Sequence, residues 1–188
     1  MPGRAAAGAR SRGAARGATT LPQRMDPVSA SLVVSASREQ AFDFLADIAN
    51  HPQFTDHFLV DWHLTRIDSF GEGAGARFRV KMPGNRYGWA DVTIAEAERP
   101  HRIVEVGRAG KNNRVRVLVT YELEPAAVGA TRVTFTVETV PATSWDRFVE
   151  SLGTRSWLRR KSRRALQRLR AILEGEQAPG PRVTVAGG

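Results

Sequence analysis

Alternating apolar and polar residues fill the middle of the chain and predict a sheet. In the sequence, most of its strands follow two short helical segments and precede a long final helix. Residues 28–36 alternate as a strand. Ser37, with Gln40 three positions later, forms the capping box of a first helix, and Pro52 at a first helical position predicts a second short helical turn. Six strands then fit between residues 59 and 140, and the short Gly-, Pro- and Asn-rich turns between them demand antiparallel neighbours.

The spacing of apolar residues returns to 3.6 after Pro141 and predicts a long C-terminal helix. Ser144 is a suitable N-cap, Gly153 predicts a bend, and Gly175 ends the helix. One side of this helix carries an apolar stripe formed by Leu158, Ala165, Leu166, Leu169, Ile172 and Leu173. We expect one face of the sheet to pack against this stripe.

Strand parity divides the sheet into an apolar and a charged face, because successive side chains of a strand point to opposite sides. We expect the inner, apolar face to hold Phe78, Val80, Met82, Val92, Ile94, Val104, Val106, Val115, Val117, Val119, Tyr121, Leu123, Val133, Phe135 and Val137. The outer face then collects charged and hydroxyl side chains, among them Arg77, Arg79, Glu105, Glu122 and Glu138. This division is typical of an antiparallel sheet with one wet face.

Composition narrows the class of protein further. The chain has 188 residues, 41% of them hydrophobic, which predicts one globular core. It has no cysteine, so disulfides, thiolate metal sites and a cysteine nucleophile are excluded and a reducing cytoplasm is the simplest compartment. His51, His57 and His63 recur every six positions, which fits no zinc pattern, so we expect no metal. The sequence has no Gly-rich phosphate loop, and we expect no cofactor.

The formal charge of +9 is concentrated in two segments. Residues 1–24 carry five arginines and no acid, and residues 147–170 carry nine basic residues against one acid. We expect residues 1–24 and 175–188 to be disordered and residues 25–174 to form the domain. The arginine-rich leader is compatible with a tail and equally with an over-extended reading frame whose physiological start is Met25.

The order of elements, with VVSASREQAFDFLAD at residues 33–47 and ERPHR at residues 98–102, resembles the SRPBCC superfamily of START-like, birch-pollen-allergen-like and polyketide cyclase/dehydrase proteins. The resemblance covers about residues 28–174. It implies the α+β helix-grip fold, in which a curved antiparallel sheet of about seven strands and two short helices surround a long C-terminal helix. It also implies a cavity for lipids, sterols, polyketides, hormones or quinones, with catalysis or partner binding in a minority of members. Phe54 stands where the family usually has a tryptophan.

Three functions are compatible with these features. The first is binding or transfer of an apolar small molecule in a cavity lined by Trp62, Phe78, Val80, Val117, Val119, Tyr121, Phe135, Trp145 and Phe148. The second is a cyclase or dehydratase in which Tyr121 and His63 would handle protons. The third is docking on an anionic membrane or RNA through Arg159, Arg160, Lys161, Arg163 and Arg164. A face filled by its own side chains, with no cavity, is a fourth interpretation.

Overall fold

A computed structural model describes residues 26–82, 88–110, 114–140, 154–176, 178, 180 and 182–185. These residues form helices on one side of an antiparallel sheet. In chain order the elements are β1 (Val28–Val34), α1 (Arg38–Ala46), a 3-10 turn (Ile48–Asn50), α2 (Pro52–Thr55), β2 (Leu59–Leu64), β3 (Gly75–Val80), β4 (Trp89–Glu98), β5 (Arg102–Ala109), β6 (Val115–Ala127), β7 (Ala130–Val140) and α3 (Thr154–Leu173).

The seven strands of the described sheet are ordered β1-β7-β6-β5-β4-β3-β2, and every neighbouring pair is antiparallel. The six strands expected between residues 59 and 140 are therefore confirmed, and they follow one another in the sheet because short turns join them. β1 pairs with β7. α3 packs against β1 and α2, and α1 packs against β5, β6 and β7. This is the helix-grip architecture, with the core between sheet and helices.

The capping box predicted at the start of α1 is confirmed. The backbone N–H of Gln40 donates to Ser37 Oγ at 3.2 Å, and the Ser37 N–H donates to Gln40 Oε1 at 3.1 Å. These bonds satisfy donors that the first turn of a helix leaves free. α1 then buries Ala41, Phe42, Leu45 and Ala46.

The apolar stripe of α3 also lies as predicted. Ala165, Leu166, Leu169 and Ile172 are buried in one cluster with apolar residues of α1 and the sheet. Gly175 has a φ of 73° and its N–H donates to the Ile172 carbonyl at 3.1 Å, so it ends the helix as expected. Ser144 and Gly153 lie outside the described residues. Among the helices of the described ranges, none is long and apolar enough to cross a membrane.

Strand parity was predicted correctly on β3, β6 and β7 but wrongly on β5. Ile103 lies opposite Tyr121 and Glu105 opposite Val119, so Ile103 and Glu105 face inward. Val104 and Val106 point to the outer side, where Val106 is 45% exposed. The sequence places apolar residues at 103, 104 and 106, which leaves parity open. Because burying a carboxyl group is costly, the alternation with Glu105 on the outer face was the expected one, and it is wrong.

Residues 182–185 of the C-terminal tail contact the domain. The Val183 N–H donates to the Ala49 carbonyl at 3.2 Å, and the Leu64 N–H donates to the Thr184 carbonyl at 3.3 Å. Val185 forms a parallel bridge with Leu64, and Arg182 forms an ion pair with Asp47. These four residues therefore lie across the 3-10 turn and the end of β2.

Candidate functional site

The inner face of the sheet changes along its strands from a closed core to a partly exposed apolar wall. Ile94, Ile103, Leu123 and Val133, at one end, are at most 2% exposed. Toward the other end Val137 and Ala90 are still buried, but many other inward residues are only partly buried. This wall contains Trp62, Phe78, Val80, Val117, Val119 and Phe135.

Seven of the nine expected lining residues thus lie on the inner face, with Tyr121 fully buried at the boundary between core and wall. Trp145 and Phe148 lie outside the described residues. Aromatic contacts organise the wall, since the ring centroids of Trp62 and Phe78 are 4.3 Å apart and those of Tyr121 and Phe135 are 5.1 Å apart. Rings at these separations stabilise one another beyond the apolar area they bury.

A register shift in β2 places Trp62 on this wall. The pairing with β3 is interrupted between Val60 and His63, and Asp61 has a positive φ of 55° there. Trp62 turns inward, where its Nε1–H donates to the Leu59 carbonyl at 3.1 Å. His63 is exposed on the outer side and stacks on Trp89 with centroids 6.4 Å apart. Tyr121 and His63 therefore lie on opposite faces, and the pair suggested for proton handling is not brought together.

Three buried polar side chains, His51, Glu105 and Tyr121, meet where the closed core gives way to the apolar wall, and we call them the polar cluster. His51 follows the 3-10 turn, and its Nε2 donates to the Leu45 carbonyl at 2.8 Å. Its Nδ1 lies 3.4 Å from Glu105 Oε1, and its ring centroid lies 5.9 Å from that of Tyr121. None of the three residues is more than 4% exposed.

Burial sets the protonation of the polar cluster. It raises the pKa of Glu105 to about 8 and lowers the pKa of His51 to about 4, because each charged form would lose its hydration. Burial, followed by the charge of Glu105, raises the pKa of Tyr121 well above its usual value. At neutral pH the carboxyl group is therefore protonated and the imidazole is neutral.

The arrangement leaves the carboxyl group of Glu105 without a hydrogen-bond partner at Oε1. Because Nε2 of His51 carries the hydrogen that Leu45 accepts, Nδ1 holds a lone pair toward Glu105. The 3.4 Å contact between Nδ1 and Oε1 is not aligned as a hydrogen bond. Gln53 Oε1, His57 Nδ1 and Ser162 Oγ are likewise buried without a protein partner in the described ranges. Such atoms in native proteins bond to ordered water or to a ligand, or have a catalytic role.

Sequence reasoning missed two members of the polar cluster. Glu105 was assigned to the outer face, and His51 was treated only as part of the Asn-His-Pro break after α1. The available signal was a single acid among the apolar residues of β5. That signal identifies a buried carboxyl group only once the register with β6 is known.

Metal binding finds no support in the described residues, where no three His, Cys, Asp or Glu side chains lie close enough together to hold an ion. His57 is separate from the polar cluster, since its Nε2 donates to the Lys161 carbonyl at 3.2 Å.

The outer side of α3 carries four exposed arginines, Arg159, Arg160, Arg163 and Arg164, which we call the arginine surface. None of these four forms an ion pair with another residue of the described ranges. Other basic residues of the helix are paired, Arg155 with Asp26, Arg168 with Asp56 and Arg170 with Glu174. Lys161 lies with its ammonium group 6.0 Å from the Trp157 ring centroid. The arginine surface is thus an unneutralised patch opposite the buried stripe.

A hollow of about 640 Å³ lies on the outer face of the sheet. Its lining includes both acids and bases, Asp91, Arg108, Arg116 and Glu138, beside apolar residues such as Val106 and Leu118. This mixed charge suits an apolar ligand less well than the inner wall does.

Seven antiparallel strands against a C-terminal helix, with a partly exposed apolar inner face, define a helix-grip protein. The chain belongs to the family described as polyketide cyclase / dehydrase and lipid transport, whose model matches residues 25–174. This finding confirms the resemblance to the SRPBCC superfamily.

Solved structures with the same fold are distant in sequence. The solution structure of KanY has a TM-score of 0.63 at 14% identity, covering 80% of this chain and 98% of that one. TTHA0849 from Thermus thermophilus has a TM-score of 0.61 at 13% identity, with coverage of 81% and 100%. Norcoclaurine synthase from Thalictrum flavum, in complex with dopamine and hydroxybenzaldehyde, has a TM-score of 0.61 at 14% identity, with coverage of 82% and 90%. No curated protein matches the chain.

Proposed function

We propose that this protein binds or transfers an apolar small molecule between the inner face of its sheet and α3. The observation that carries the proposal is the apolar wall, whose inward side chains stay partly exposed beside a closed core. A ligand that covers this wall gains about 25 cal/mol for each Å² of apolar surface removed from water. The family description supports the proposal because it includes lipid transport. The complex of norcoclaurine synthase with two small aromatic molecules gives further support.

Filling the wall should weaken ligand binding. Val119 faces inward on β6 and is partly buried, so Val119→Trp would place an indole where the ligand is expected. We expect the wild-type protein to bind the neutral dye N-phenyl-1-naphthylamine and Val119→Trp to bind it about tenfold more weakly, since roughly 50–60 Å² of lost apolar contact corresponds to that factor. The measurement is a fluorescence titration of the full chain.

Glu122→Trp is the matched control, because Glu122 lies on the same strand but is exposed on the outer face. It should bind the dye as the wild-type protein does. Native mass spectrometry and organic extraction of the purified protein would then identify any ligand that co-purifies. The proposal fails if the wild-type protein binds no dye and contains no extractable apolar compound.

A cyclase or dehydratase reaction remains the enzymatic alternative. It would need a proton donor and acceptor beside the ligand. Among the described residues the polar cluster borders the apolar wall, which favours it for these roles over His63 on the outer face.

Docking of α3 on an anionic membrane is a second candidate function, favoured by the arginine surface. Residues spaced i, i+1, i+4 and i+5 lie on one side of a helix, so the four guanidinium groups can approach a lipid surface together. Each arginine near such a surface contributes about 1 kcal/mol. Replacing all four by glutamine should therefore weaken binding to phosphatidylglycerol vesicles by at least about 100-fold at low salt.

Vesicle sedimentation measures this effect, and binding of the wild-type protein should also weaken steeply as salt rises. Substitution of Arg66, Arg108, Arg114 and Arg116 by glutamine makes the same change in net charge at exposed positions away from α3. Equal loss in both variants would show a non-specific effect of charge and would remove the docking role of α3. A preference for RNA over vesicles would also count against it.

A further inference from the structure

The polar cluster has a feature that apolar binding alone does not require. Glu105 and Tyr121 are diagonal neighbours on the inner face, because Glu105 lies opposite Val119 and Ile103 opposite Tyr121. Both are fully buried, and Oε1 of Glu105 has no hydrogen-bond partner. An apolar side chain at position 105 would avoid the cost of burying a carboxyl group. A ligand group that bonds to this carboxyl group would offset that cost.

On the side of the apolar wall, no side chain of β5 lies beside the carboxyl group. The next inward position on β5 is Gly107, which has no side chain to lie over Glu105. A Cβ atom there would lie 2.5 Å from the Asp91 carbonyl oxygen, so β4 excludes any larger residue. The polar cluster thus adjoins the apolar wall at Glu105, which lies opposite Val119.

The charges around Glu105 decide which ligand groups suit it. Within the described ranges, the titratable groups that face it are His51 and Tyr121, whereas Ile94 on β4 and Val119 on β6 are apolar. Asp47 acts on His51 from the end of α1, and the buried residues of α3 in this core, Ala165, Leu166 and Leu169, are apolar. At neutral pH the described residues around Glu105 hold no cation and present two O–H donors, the protonated carboxyl group and the phenol.

We propose that the polar cluster recognises a carbonyl oxygen, so that the ligand is an apolar ketone or another neutral carbonyl compound. This inference rests on the proposed function. A carbonyl oxygen has two lone pairs and can accept from both donors. A carboxylate would find no positive charge to offset its lost hydration, and an amine would require an ionised carboxyl group in an apolar environment.

Two probes of nearly equal shape test the proposal, 9-fluorenone, which carries a carbonyl group, and fluorene, which lacks it. Displacement of N-phenyl-1-naphthylamine from the full chain at pH 6.5 measures both affinities. We expect Glu105→Met to weaken fluorenone binding about tenfold, the factor of one net hydrogen bond, and to leave fluorene binding unchanged or stronger. For each probe, the affinity for the variant is divided by the affinity for the wild-type protein, so the difference in hydrophobicity between the probes cancels.

The pH dependence gives a second readout. The wild-type protein should lose its preference for fluorenone above about pH 8, where Glu105 ionises and can no longer donate. Glu105→Gln keeps an N–H donor without an ionisable group, so it should keep the preference and lose the pH dependence. This variant also tests the proposal if Glu105→Met fails to fold.

The control Glu122→Met, on the outer face of β6, should behave as the wild-type protein does. Equal fluorenone binding by wild-type protein and Glu105→Met would overturn the inference and leave the proposed function standing. Tighter binding of 9-aminofluorene than of fluorenone would overturn it in favour of an amine. If the wild-type protein binds neither probes nor dye and contains no extractable apolar compound, the proposed function fails, and this inference fails with it.

Discussion

The stability of the wild-type protein is expected to decrease between about pH 5 and pH 9, and Glu105→Met is expected to remove most of that decrease. Burial raises the pKa of Glu105 from its usual 4.5 to about 8, so the folded state holds this proton more tightly than the unfolded chain does. The contribution is complete below pH 4.5 and is lost as the pH rises through about 8. A shift of this size corresponds to at most about 5 kcal/mol. Urea unfolding of both proteins at a series of pH values measures it.

His51 should determine how the stability of the protein changes at acidic pH. Burial lowers the pKa of His51 from 6.5 to about 4, so its contribution is present above pH 6.5 and is lost as the pH falls through about 4. Glu105→Met should leave this acid limb in place, and Glu122→Met should leave both limbs in place. A wild-type stability that stays flat from pH 6 to pH 9 would contradict the burial of a protonated carboxyl group.

The elements of the fold were predictable because their signals are local. The capping box at Ser37 and the helix end at Gly175 each depend on residues within one helical turn. The apolar stripe of α3 follows from the 3.6-residue spacing of apolar residues within that one segment. Turn residues located the strands in the same way. Local rules of this kind hold whatever the rest of the chain does.

Parity on β5 depended on a partner strand and could not be fixed locally. Three of the four residues from 103 to 106 are apolar, so either alternation is compatible with a half-buried strand. Pairing with β6 decides between them, and it turns Glu105 inward. The apolar lining was therefore predictable as a set, while the polar residue among it was not.

His51 and the tail illustrate two further limits. His51 becomes buried because the 3-10 turn directs its ring toward the Leu45 carbonyl, a contact between residues six positions apart that no periodic pattern contains. Residues 182–185 find partners more than a hundred residues away, at Asp47, Ala49 and Leu64. Both sets of contacts form only in the folded domain. The polar cluster of the candidate site depends on contacts of this kind, so the sequence alone does not predict it.

Leu169→Ala should cause the largest loss of stability among the substitutions considered, because it detaches α3 from the closed part of the core. Leu169 is fully buried in the cluster that joins α3 to α1 and the sheet. Removing a buried leucine side chain costs about 2–5 kcal/mol, from lost transfer free energy and the remaining cavity. Urea unfolding at pH 6.5, where the wild-type protein is expected to be stable, measures the change.

Ile67→Ala separates this packing effect from a general effect of losing an aliphatic side chain, since Ile67 is 95% exposed. Its cost should stay within about 0.5 kcal/mol. If the two substitutions cost the same, α3 does not close the core, and the apolar wall would then be an open face of the sheet. A large loss for Leu169→Ala alone supports α3 as the second side of the binding site. Under native conditions that variant should also bind N-phenyl-1-naphthylamine more weakly, because the ligand would lose the helix that faces the wall.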